Sequence, residues 1–279
     1  KVSWHSHSPI PVFFDRHNKR HIKRVDRYLR NMKKNGITVI AASYHNFINI
    51  RNKQYYSSGE INFFRHNVNP ENQYEILCSR AEKMGMIILP ALELETSRTL
   101  TTLPRQKIHL GIVHWDPRVI YYGRSDFLRF RPLYDLLNNL PPDAVVDLKH
   151  PWHHRYGAAS FTNKEELKKI IEQYGLLIEK SGMGATTYTV FKKIYDYLPF
   201  LLWSKTLKKQ FTDLHKLVTL EELSAYPATA GGDNHAIRPY PKGGGHIEIA
   251  FADNETVTKQ AIVEKVKSGQ GRAVMPPMF

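Results

Sequence analysis

Fourteen of the 279 residues are histidine, and several of them stand where short β-rich runs end. Val2–His7 finishes on His5 and His7, 37–44 runs into His45, and 86–94 carries Glu93. The run 107–115 contains His109, 144–149 ends at His150, and 228–232 leads to Asp233 and His235. Side chains two apart on a strand share a face, so His5 and His7 can bind one ion together. Neutral imidazole and carboxylate suit Zn, Mn or Fe(II). The single cysteine, Cys78, excludes a thiolate zinc site and an internal disulfide framework. Several such groups in one pocket are strained without cations, so a site with more than one metal is the simplest resolution. Such a site can activate water and clamp both oxygens of a phosphoryl displacement.

Those residues need elements that deliver them to one place. Helical patterns at 71–84 and 164–174 lie between β-rich runs, and 176–179 reads as a further strand. The alternation argues for an α/β protein with a parallel sheet. A closed barrel would gather the C-terminal ends of its strands at one mouth. The stretch 189–222 reads as mostly helical and broken at Pro199, with its apolar residues packed on the barrel. The segments 247–252 and 256–268 read as strand then helix. No repeat or linker divides the chain, so residues 1–279 are expected to form a single domain with a helical insertion around 189–224.

The charge is distributed differently from the histidines. Lys and Arg number 40 against 26 Asp and Glu, a balance of 40 − 26 = +14. Between Arg16 and Lys34 there are nine basic residues and one acid, 9 − 1 = +8. Ile22, Val25, Leu29 and Met32 give that segment one apolar helical stripe, with Asn18 as N-cap and Gly36 as stop. Its basic face is either solvated or a phosphate-attracting surface. No apolar run approaches the roughly 20 residues of a membrane span, and a cytoplasmic location is expected.

The residues also resemble a known family. His5-Ser-His7-Ser, His45, Pro90-Ala-Leu-Glu93-Leu, His109-Leu-Gly, Lys149-His150-Pro151 and Gly231-Gly-Asp233-Asn-His235 follow the order of the PHP (polymerase and histidinol phosphatase) family. The resemblance implies a distorted (β/α)7 barrel, metal ions at the C-terminal ends of its strands, and phosphoester hydrolysis. It implies that His5 and His7 join Glu93 and Asp233 around one metal, and that Glu93 bridges to a second metal completed by His109 and His150. A third would be held by His45 and His235 with a residue of the loop after His7, Asp15 being favoured over His17. The family often has an acid shortly before the first His and another immediately before the second-strand His. This chain has Ser3-Trp4 and Tyr44 there.

The resulting expectation is a metal-dependent phosphoesterase with two or three divalent ions (Zn, Mn or Fe). It would hydrolyse a phosphate mono- or diester of a nucleotide, nucleic-acid end or sugar phosphate through a metal-activated hydroxide. Asp233 or His235 would assist the leaving proton. Arg155, Arg238 and Lys242 are the candidate substrate contacts, Arg155 because a guanidinium grips phosphate in two places. His114, His21, His66 and His215 are read as structural or surface residues. The alternative is a non-catalytic nucleic-acid or protein-binding module on the same barrel with a degraded metal site. An amidohydrolase also starts with His-x-His, but that group usually relies on a bridging Lys where Glu93 is suggested here.

Overall fold

The computed structural model describes residues 1–7, 18–49, 54–57, 70–96, 108–122, 133–151, 164–180, 220–223, 225–231 and 245–274. Its strands are β1 (Val2–His7), β2 (Val39–Asn49), β3 (Gln54–Ser57), β4 (Ile87–Glu95), β5 (His109–Val113), β6 (Val145–Leu148), β7 (Leu177–Glu179), β8 (Ala228–Thr229), β9 (His246–Glu248) and β10 (Arg272–Val274). The helices are α1 (Lys19–Lys34), α2 (Pro70–Glu82), α3 (Leu133–Asn138), α4 (Lys164–Tyr174), α5 (Leu220–Leu223) and α6 (Lys259–Lys267). Of the expected helical insertion around 189–224, only α5 lies within the described residues. Among the described residues no helix is long and apolar enough to cross a membrane.

The strands form one mixed sheet in the order β10-β9-β1-β2-β4-β5-β6-β7-β8, with β3 hairpinned onto β2. Beyond β8 the chain returns to β1, where the Trp4 N–H donates to the Ala230 carbonyl at 3.1 Å. The sheet thus nearly closes into a barrel. Both faces of the central strands are apolar, as a sheet covered on both sides requires. Outward residues Ile40, Ala42 and Ile88 pack under α1 and α2, while Leu110, Ile112, Leu148 and Ile178 pack under α3 and α4. Inward residues Trp4, Ala41, Leu89, Ala91, Val113 and Val145 fill the barrel and meet Ile262, Val263 and Val266 of α6.

The expected parallel sheet is corrected at three strands: β3 pairs antiparallel with β2, β9 runs antiparallel to both β1 and β10, and β5 runs antiparallel to both β4 and β6. A parallel neighbour needs a crossover, usually a helix, and no helical pattern separates β4 from β5 in sequence. The reversal matters for chemistry. His109 is the first residue of β5, and its pairing with Glu95 carries it to the end of the barrel where β4 finishes.

β1 holds a second local departure. Its register against β2 passes from Ser3↔Ile40 to Ser6↔Ala42, three residues against two. This bulge breaks the alternation, so Trp4 joins the barrel interior while the next residue, His5, also reaches inward to Glu93 and Glu179. The fully buried Trp4 indole supports the histidine layer from below. At α1, Asn18 caps the helix by accepting from the Arg20 N–H at 2.9 Å, and Gly36 takes φ 77 beyond its end. Both match the sequence expectation.

Closure of the barrel depends on Gly231. A Cβ at that position would fall 2.3 Å from the His5 backbone nitrogen, so Gly231→Ala must push the two chain segments apart. The substitution is expected to destabilise the protein by about 1–3 kcal/mol, measured by urea denaturation.

Candidate metal centre

Glu93 follows Leu89 and Ala91 along the inward face of β4, which places its carboxylate at the top of the barrel interior with 1% exposure. Four imidazoles surround it. Oε2 lies 3.3 Å from His5 Nε2 and 3.2 Å from His7 Nε2. Oε1 lies 2.7 Å from His109 Nδ1 and 2.8 Å from His150 Nε2. Two triads result, His5–His7–Glu93 and Glu93–His109–His150, each with donor atoms within 4.8 Å of one another. Every member of both is buried.

A carboxylate unassigned by the sequence reading completes the arrangement. Glu179, the last residue of β7, accepts the His5 Nδ1–H at 2.9 Å through Oε1 and the His150 backbone N–H at 2.7 Å through Oε2. Burial opposes its ionisation, but His5 and Lys149 outweigh burial and hold the carboxyl below its ordinary range. The first bond assigns the His5 proton to Nδ1 and leaves the Nε2 lone pair facing Glu93. The second holds His150 at φ 29, the one non-glycine residue with positive φ among the described residues. That conformation is strained for a residue with a side chain. It turns the imidazole toward Glu93 directly after β6.

Level with Glu93 across β5 lies an ion pair with no solvent contact. Lys149 Nζ donates to Asp147 Oδ2 at 2.9 Å, and the Thr229 hydroxyl donates to the same oxygen at 2.6 Å. Asp147 Oδ1 has no hydrogen-bond partner among the described residues. Burial disfavours the Lys149 ammonium, but Asp147 and Glu179 more than compensate and raise its pKa. Space for the pair comes from Gly111, opposite Asp147 on β5. A Cβ there would sit 2.1 Å from both Asp147 Oδ1 and Lys149 Cε.

This donor set fits divalent cations. Among the described residues, the three buried carboxylates Glu93, Glu179 and Asp147 stand with one buried ammonium, a set that suits added cations. Uncompensated buried charge costs several kcal/mol per ion. With the His5 proton on Nδ1, the Nε2 lone pair faces Glu93 Oε2 at 3.3 Å, a pair of donor atoms that a cation would satisfy. His5 hydrogen-bonded to Glu179 is the carboxylate–histidine pairing that orients a metal-ligating imidazole.

The structure brings together His5, His7, Glu93, His109 and His150. His45 stands in register with Glu93 on the neighbouring strand, and of this residue only the backbone is described. Asp15, His17, Asp233, His235, Arg155, Arg238 and Lys242 lie outside the described residues. His114 is buried away from the centre, stacked on Trp115 and accepting the Asp116 N–H at 2.9 Å, as a structural histidine should be. Glu179 had a legible signal: like Glu93 after Leu89-Pro-Ala-Leu, it follows an apolar run, Leu176-Leu-Ile. Asp147 and Lys149 had none, because a charged pair on a strand ordinarily reads as solvent-facing.

No protein-family model matches the chain, and no curated protein is significantly similar to it. Six solved chains match it, among them the following two. One is a two-domain protein from Bacteroides vulgatus containing a predicted PHP-like metal-dependent phosphoesterase, 13% identical with a TM-score of 0.41; the match covers 64% of this chain and 43% of that one. The other is a candidate metal-dependent phosphoesterase from Bifidobacterium adolescentis, 10% identical with a TM-score of 0.42, covering 96% of both chains. The site stands on its own side chains.

The buried ion pair yields a stability test. Lys149→Met leaves Asp147 charged and unpaired and is expected to cost about 3–5 kcal/mol. Adding Asp147→Asn should recover most of that loss. Denaturant melts of the two variants check both statements.

Proposed function

We propose that the chain is a PHP-like metal-dependent phosphoesterase that hydrolyses a phosphate mono- or diester, acting as one domain over residues 1–279. The observation that carries this reading is the Glu93 carboxylate shared by two buried triads, one on each oxygen. His5, His7, Glu93, His109 and His150 would hold two divalent ions, with Asp233 completing the first set. His45, His235 and Asp15 would hold a third. Zn, Mn and Fe all suit this mixture of imidazole and carboxylate. Bound there, such ions supply activation of water at neutral pH and neutralisation of the charge that builds on a phosphoryl group.

The chain's own residues supply the rest. Glu179 fixes the His5 tautomer and the His150 backbone, so both imidazoles meet the ions already oriented. Lys149 is the buried ion-pair partner of Asp147 and helps hold the Glu179 carboxyl below its ordinary range. Asp233 or His235 would carry a proton to the departing alcohol. Arg155, Arg238 and Lys242 would hold the non-bridging phosphate oxygens, guanidinium by paired bonds and ammonium by charge.

The test is hydrolysis of an aryl phosphate monoester and diester by protein loaded with Mn or Zn. Activity is expected in the wild type and absent in His5→Ala and Asp233→Ala. Glu179→Gln should retain the fold but weaken metal binding by about 10–100-fold, read by competition with a chromogenic chelator. A wild type with less than one metal per chain and no hydrolysis would support a binding module with a degraded site.

A further inference from the structure

We propose that the outer face of α1 binds a nucleic-acid backbone, so that the phosphoester handled at the Glu93 centre belongs to a polynucleotide. The hydrolytic half of this inference rests on the phosphoesterase reading; the binding half stands without it.

α1 has 16 residues and a length of about 24 Å. Eight of them are exposed, and all eight are Lys or Arg. The helix is self-repelling: Lys19 and Lys23, Arg20 and Arg24, Lys23 and Arg27, and Arg30 and Lys34 are like charges four apart. Its first turn contains no acid, although the helix dipole favours one there, and begins instead with Lys19 and Arg20. The helix has one acid, Asp26, and its carboxylate is engaged by Arg80 of α2. Among the described residues, none of the eight forms an ion pair with a carboxylate, and Lys33 bonds only the Met84 carbonyl. An ordinary solvated helix mixes both signs along its face. Here, among the described residues, the opposite sign is missing from the exposed face.

A row of phosphates supplies it at a matching density. Eight charges on the helix average one per about 3 Å, close to the roughly 3.4 Å between phosphates along one strand of a duplex. A membrane surface fits less well. Helices that lie in a bilayer interface bury an apolar face in lipid, whereas Val25, Tyr28, Leu29 and Met32 are committed to the core beneath α1. Position favours a substrate role as well. The Tyr28 hydroxyl meets the Ser6 hydroxyl at 2.7 Å, and Ser6 lies between His5 and His7. The basic helix therefore leans on the strand that delivers two of the candidate metal ligands.

The experiment uses the full chain and a fluorescein-labelled 20-nucleotide single strand, followed by anisotropy in EDTA across a salt series. The wild type should bind with a log–log salt slope of about −3 or steeper. Arg20→Gln/Lys23→Gln/Arg24→Gln/Arg27→Gln should lose at least tenfold in affinity and flatten the slope by about 3, four contacts at roughly 0.7 each. The same variant should melt at a higher temperature at low salt, because repulsion is relieved, which separates lost binding from misfolding. With Mn or Zn present it should hydrolyse an aryl phosphate like the wild type and a labelled oligonucleotide with raised KM. Equal oligonucleotide binding by variant and wild type, or tighter binding to phosphatidylserine vesicles than to the oligonucleotide, overturns the proposal. A wild type that binds the oligonucleotide but cleaves no phosphoester sinks the enzymatic reading and leaves the surface standing.

Discussion

Glu93 sits 1% exposed with ring nitrogens of four histidines within 3.3 Å of its two oxygens. A buried carboxylate is best held where positive charge meets it, and divalent cations among these rings would supply that charge. The buried ammonium of Lys149 is already bonded to Asp147, and Glu179 adds another anion beside His5. Cations between the rings and the carboxylate remove the conflict in one step. The remaining structure can be understood as what it takes to hold these groups in place before the ions arrive.

Several local irregularities serve that end. The bulge in β1 lets Trp4 fill the barrel while His5, one residue later, still reaches Glu93. The reversed direction of β5 delivers His109 from the start of a strand rather than its finish. Positive φ at His150 turns its ring toward Glu93 where β6 ends. Gly111 and Gly231 leave the volume that the Asp147–Lys149 pair and the β1 seam require. Each device is unfavourable or unusual by itself, and such departures from regular structure gather where function constrains the chain.

Much of this was legible in the residues. The ends of apolar runs marked His5, His7, Glu93 and His150, a further run contained His109, and the α1 boundaries followed from Asn18, Gly36 and the apolar stripe. Strand direction was not legible, because side-chain alternation is the same for a strand read either way. The bulge was hidden for a related reason: period two from His5 to His7 is intact, and the break falls one residue earlier. Asp147 and Lys149 looked like solvent-facing charges, since nothing local shows that Gly111 on another strand makes room for them. Glu179 was within reach, as an acid closing an apolar strand, and became meaningful only once His5 and His150 were seen to converge on it.

The central claim, that one carboxylate is shared by two cations, is tested most directly by anomalous diffraction from crystals of the protein loaded with Zn or Mn. Two anomalous peaks are expected at the metal edge, one between Glu93 Oε2 and the rings of His5 and His7, the other between Oε1 and the rings of His109 and His150. A fully loaded crystal with no peak within coordinating distance of Glu93, or with a single peak on one side of it, would contradict the shared carboxylate.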